Sequence, residues 1–224
     1  MEKIHHENKD IKLYAYNAVI NCWAQGMHED SGVKAEGWLD KMEDMYSLGE
    51  NRMKPDHITY ASVINAYAAI GKGADAERVL KRHIDAFKRG VVDNPPGVVS
   101  YGSTIHGYAK CGKADDAERV LKEMEELSGS KNAFSVKPNV ECYNAVINAY
   151  AKSGGGRREY DRVMEILDKM NQNDMSDTLT YSTVVNFLSG IDEAWAENKA
   201  IGILDEMWNL FQGGNRNVKP NTGE

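Results

Sequence analysis

Tyrosine is followed by asparagine at Tyr16 and Asn17 and again at Tyr143 and Asn144, and asparagine returns four residues later at Asn21 and Asn148. After Tyr60, Tyr101 and Tyr181 the same two places hold Ala61 and Asn65, Gly102 and His106, and Ser182 and Asn186. An amide donates and accepts hydrogen bonds at once, so a row of Asn with small polar neighbours can meet the edge of a nucleobase at short range. Carboxylates there would repel anything anionic. Steps of four residues keep the row on one face of a helix. Helix capping is the competing use for the first place, and hydrogen bonding between neighbouring helices is the favoured use for the second.

Other chemistry finds little footing. Cys22, Cys111 and Cys142 are odd in number and form no C-x-x-C pair, which points to free thiols in a reducing compartment. His5, His6, His28, His57, His83 and His106 are scattered, with no zinc spacing. The P-C-x-x-C signature of zinc deaminases is absent. The stretch KSGGGRRE lacks the order of a phosphate-binding loop and is expected to be a loose turn. No catalysis, cofactor or metal is expected.

The elements that position the amide rows repeat. The five tyrosines lie 44, 41, 42 and 38 residues apart, a period that signals a stacked array rather than one closed core. Residues three, four and seven after the tyrosine are apolar in almost every unit and form one stripe, as in Val63, Ile64 and Tyr67 or Val146, Ile147 and Tyr150. Gly26, Gly71, Gly112 and Gly154 are placed to end these first helices. A charged amphipathic helix such as ADAERVLKRHIDAFKRG follows in each unit, its outer face in water. Boundaries such as MKPD, NPPG and VKPN stop that helix and cap the next. Longer stretches, QGMHEDSG and LSGSKNAFSVKP among them, read as loop insertions. The expected units are 13–56, 57–97, 98–139, 140–177 and 178–221, one all-α array across 1–224 with about ten helices.

The units TYASVINAYAAIGKGADAERVL and SYGSTIHGYAKCGKADDAERVLKEM, each ending in a boundary like Lys-Pro-Asp or Lys-Pro-Asn (NPPG and VKPN), resemble the pentatricopeptide repeat. A tetratricopeptide array would show W-x2-L-G-x2-Y, which these units lack. They run longer than the family's 35 residues. The resemblance implies a right-handed α-solenoid of stacked helical hairpins that binds single-stranded RNA, one base per hairpin. With the tyrosine as position four, it assigns base reading to position five together with the last residue of the unit. The pairs are Asn17 with Asp56, Ala61 with Gly97, Gly102 with Asn139, Asn144 with Asp177, and Ser182 with Asn221, implying the order U, any, A, U, A. It also implies that position two stacks on bases, here Tyr14, Ile58, Val99 and Leu179, with Glu141 a departure, although burial against the next hairpin is the equal alternative. Position thirteen would meet phosphate through Lys110 and Lys152, but is Gln25, Ala69 and Gly190 elsewhere.

The net charge of -7 opposes nucleic acid, whose affinity rests on cations. The five first helices carry Lys110, Lys152 and Glu141, so the acids lie on the second helices and loops. A scaffold binding a protein partner on the concave surface is the alternative; neither a membrane nor DNA is an expected partner. Relatives serve organelle transcripts, which implies mitochondrion or plastid, and the cytoplasm otherwise, since MEKIHHENKD is no targeting segment. The chain opens without a capping hairpin before Tyr16 and closes on VKPNTGE, as a piece of a longer array would.

Overall fold

A computed structural model describes residues 2–128 and 136–219, with side chains from Leu13 onward. The described residues form ten α-helices, a single 3-10 turn and no strand. The helices are α1 (Glu2–Gly26), α2 (Ser31–Ser47), α3 (His57–Ala69), α4 (Gly73–Lys88), α5 (Val98–Lys110), α6 (Ala114–Ser128), α7 (Val140–Lys152), α8 (Arg157–Gln172), α9 (Thr178–Ser189) and α10 (Ala194–Gln212). Each odd helix pairs with the even helix that follows it, and each odd helix packs on the next odd one. The even helices meet one another only through long side chains, so the odd helices form the closely spaced inner layer and the even helices a splayed outer one. An α-solenoid curves in this way, with the inner layer lining its concave face.

Tyr60, Tyr101, Tyr143 and Tyr181 lie in the first turns of α3, α5, α7 and α9 and are buried. Tyr16 departs from this, since α1 already begins at Glu2. The other four helices follow a capping residue, and three of those caps follow a buried proline, Pro55, Pro96 or Pro138. No proline stands before Tyr16 to interrupt the helix. Gly71, Gly112 and Gly154 take left-handed φ values of 75°, 67° and 80° just past their helices, as C-caps do. Gly26 does not; Met27 takes that conformation instead, at φ 49°. KSGGGRRE is the α7–α8 turn, with the Glu159 carboxylate accepting from the Gly156 amide at 2.9 Å. Most of the LSGSKNAFSVKP insertion lies outside the described residues.

The tyrosines of the apolar stripe do more than fill space. Tyr67 donates its hydroxyl proton to Glu36 at 2.6 Å, Tyr108 to Glu77 at 2.6 Å, and Tyr150 to Glu118. Each glutamate also accepts from an arginine one outer helix further on, namely Arg78, Arg119 and Arg162. Burial alone would raise the Glu77 carboxyl, but hydrogen bonds from Arg119, Lys81 and Tyr108 outweigh it and bring it down to about 2; Glu118 follows the same pattern with Arg162, Lys122 and Tyr150. These acids therefore account for outer-layer negative charge that is already neutralised within the protein. Glycine provides the room: a Cβ on Gly73 would stand 2.6 Å from the Tyr108 ring, and one on Gly32 only 2.2 Å from Tyr67.

Candidate nucleic-acid interface

Exposure rules against burial at position two. Tyr14, Ile58, Val99 and Leu179 are 76%, 52%, 65% and 61% exposed, and Glu141 is exposed as well. An apolar side chain left in water at the same place in four units has no role in the core, and such faces take up bases without regard to sequence.

In the four units whose last residue is described, that residue is the N-cap of the next inner helix. Asp56 Oδ1 accepts from the Thr59 amide at 2.8 Å, Asn139 Oδ1 from the Cys142 amide at 3.1 Å, and Asp177 Oδ1 from the Thr180 amide at 2.8 Å. Gly97 caps α5 without a side chain. A cap takes only one atom of the side-chain fork. The second atom has no partner among the described residues, and it differs in kind: Asp56 and Asp177 keep a carboxylate oxygen, an acceptor, whereas Asn139 keeps an NH2 group, a donor. On the Watson–Crick edge uracil presents N3–H and adenine presents bare N1, so a spare acceptor fits uracil and a spare donor fits adenine. Asn221 lies outside the described residues.

Position five is more varied than one exposed face would allow. The Thr59 hydroxyl lies within hydrogen-bond reach of both Asn17 Oδ1, at 2.7 Å, and Asp56 Oδ1, at 2.8 Å, so it joins the two members of that pair. Ala61 and Gly102 are half-buried. Ser182 is exposed and donates back to the Thr178 carbonyl at 2.8 Å. Asn144 is only 7% exposed, and neither amide atom has a partner among the described residues, an arrangement that costs stability unless a ligand supplies one. None of these residues caps a helix. Between α5 and α7 a pocket of ≈ 290 Å³ brings together Val99, Gly102 and Asn139, with Asn65 and His106 also on its wall. It is near the lower end of ligand-pocket sizes.

At position thirteen, Lys110 Nζ donates to the Ala69 carbonyl at the end of α3, at 2.5 Å. Lys152 is exposed and makes no ion pair or hydrogen bond among the described residues. The second polar row also departs from expectation: Asn21, Asn65, His106 and Asn186 are exposed, Asn148 is half-buried, and no described side-chain hydrogen bond carries any of the four asparagines to a neighbouring helix. Among the described residues no group of three His, Cys, Asp or Glu could hold a metal, and no helix is long and apolar enough to cross a membrane.

Residues 58–82 and 99–128 match the PPR repeat, and residues 131–190 match the pentatricopeptide repeat domain, together about half of the chain. The chain belongs to the pentatricopeptide repeat family. Its fold is similar to a crystal structure of the pentatricopeptide repeat protein PPR10 in complex with an 18-nt psaJ RNA element, with TM-score 0.59 and 24% identity over 92% of this chain. A second PPR10 structure with that element aligns at TM-score 0.43 and 20% identity, covering 92% of this chain and 35% of the other. No curated protein matches. This pentatricopeptide array spans about a quarter of the length of the first PPR10 chain. The outer Glu–Tyr–Arg ladder escaped the sequence reading, although AERVL repeats beside Tyr67 and Tyr108 carried its signal.

Proposed function

We propose that the chain binds single-stranded RNA along its inner helices, one nucleotide per unit, with units drawn at the boundaries expected from the tyrosine register. The observation that carries this reading is the row of exposed apolar residues at position two, set beside helix caps with an unpaired polar atom. Base stacking comes from Tyr14, Ile58, Val99 and Leu179. Edge reading comes from Asn17 with Asp56, Gly102 with Asn139, Asn144 with Asp177, and Ser182 with Asn221; Ala61 with Gly97 offers no side-chain group to select a base. Lys152 serves as a phosphate contact, and Lys110 shares its ammonium with Ala69. The chain's own residues provide no catalytic group in this reading, and the work is recognition, in RNA processing, stability or translation. In this reading the work belongs to a mitochondrion or plastid, a reading supported by family resemblance, and fractionation of cells carrying the tagged gene product checks it.

A gel shift with single-stranded RNA, duplex RNA and DNA across a salt series tests the binding. Affinity for single strands should fall as salt rises, with a shallow slope because few cations face the groove. Absence of binding to any single strand at low salt would favour a protein-binding scaffold.

A further inference from the structure

The row Asn21, Asn65, His106, Asn148 and Asn186 lies one helical turn beyond the base-reading places and takes no part in them. It is mostly exposed and lacks the interhelical bonds that would give it a structural purpose. Its composition differs from the row before it. Position five runs Asn, Ala, Gly, Asn, Ser, whereas this row is Asn in four units of five. A residue that reads a base must change with the base; one that meets a group common to all nucleotides need not. An amide both donates and accepts, and so does the ribose 2′-hydroxyl, while a phosphate oxygen only accepts. His106 fits the same role: although the residue is exposed, partial desolvation of its ring and the nearby Lys110 and Lys152 hold its imidazole below its ordinary pKa, and a neutral imidazole also has one donor and one acceptor. The order along each inner helix completes the argument. Four residues advance about 6 Å, so base-reading groups, this row and the position-thirteen lysines follow one another as base, ribose and phosphate do in a nucleotide.

We propose that this second row reads the ribose 2′-hydroxyl and makes the groove prefer RNA to DNA; the assignment rests on the RNA reading above. The test measures fluorescence anisotropy of the full chain with one oligonucleotide containing U-N-A-U-A, made once with ribose and once with 2′-deoxyribose but keeping uracil. The wild type is compared with a triple variant, Asn21→Ala, Asn65→Ala and Asn186→Ala, chosen because all three side chains are exposed. A thermal melt confirms that the variant is folded. The wild type should prefer the ribose strand by roughly tenfold or more, as several modest hydrogen bonds would produce. The variant, which keeps His106 and Asn148, should lose most of that preference, with deoxy affinity unchanged. A preference undiminished in the variant, one that is absent from the wild type, or an equal weakening on both backbones overturns the assignment. Failure of the wild type to bind either strand overturns the RNA reading itself, and this assignment with it.

Discussion

In the proposed reading, the one side chain of Asp177 serves the fold and the ligand together. Its Oδ1 holds the first turn of α9, and Asn in its place keeps that bond while turning the outward atom from acceptor into donor. Replacing Asn144 by Ser and Asp177 by Asn should therefore move preference at that nucleotide from uracil towards adenine by roughly 1–3 kcal/mol, read by competition between matched oligonucleotides. Because Asn144 is buried without partners, its removal should shift stability by less than about 1 kcal/mol, smaller than for a satisfied buried amide. Lys152→Ala should weaken every sequence alike, since a phosphate contact carries no base information. A double variant with unchanged base preference, joined by a Lys152→Ala without effect, would remove RNA from the groove. Tyr101 offers a contrast of the same kind. Tyr60 and Tyr143 donate to Glu43 and Glu125, but Ile84 stands at that register and the buried Tyr101 hydroxyl has no partner among the described residues. Tyr60→Phe should cost about 1 kcal/mol in denaturant unfolding, and Tyr101→Phe should cost nothing.

At the scale of elements, the Glu36, Glu77 and Glu118 ladder joins outer helices whose backbones do not meet. Glu77→Ala would strand Tyr108 and Arg119 and should lower stability by about 2 kcal/mol at neutral pH, less than a fully buried pair because Arg119 reaches solvent. The pH dependence has a definite sign. A carboxyl whose folded pKa is about 2, against an ordinary 4.5, stabilises fully above about pH 4.5 and loses that contribution as pH falls towards 2. Denaturant melts at pH 7, 4 and 3 should show the wild type losing stability over this range and the Glu77→Ala variant losing less. Parallel slopes for the two proteins would show that the ladder is not the source.

Across the whole molecule stability should be uneven. The ladder ends at Arg162, Leu188 takes the place of the stripe tyrosine, and α8 packs only thinly on α9, although α7 and α9 pack well. Repeat arrays unfold from their weakest interface. Amides of α9 and α10 should then exchange hydrogen faster than those of α3 to α6 in native conditions, and uniform protection across the helices would contradict this.

The inner helices were legible in sequence because a helical stripe and a Pro-plus-cap boundary depend on residues a few places apart, and local propensity sets those. The family followed from the same repeats. Exposure at position two was not legible: an apolar residue such as Ile58 suits a core and a stacking face equally, and only the inner layer's curvature decides which it meets. The capping role of Asp56 and Asn139 was half visible, since their types allow a cap, but which atom remains unpaired depends on which one the helix takes. Asn144 and Asn148 lie one turn apart on α7, yet one is buried and the other is half-exposed. Sequence determined where helices begin, which faces are apolar and that units stack. Tertiary structure decided which polar atoms are used up and which remain, because hydrogen-bond satisfaction and burial are settled between helices some forty residues apart, where no short-range pattern reaches.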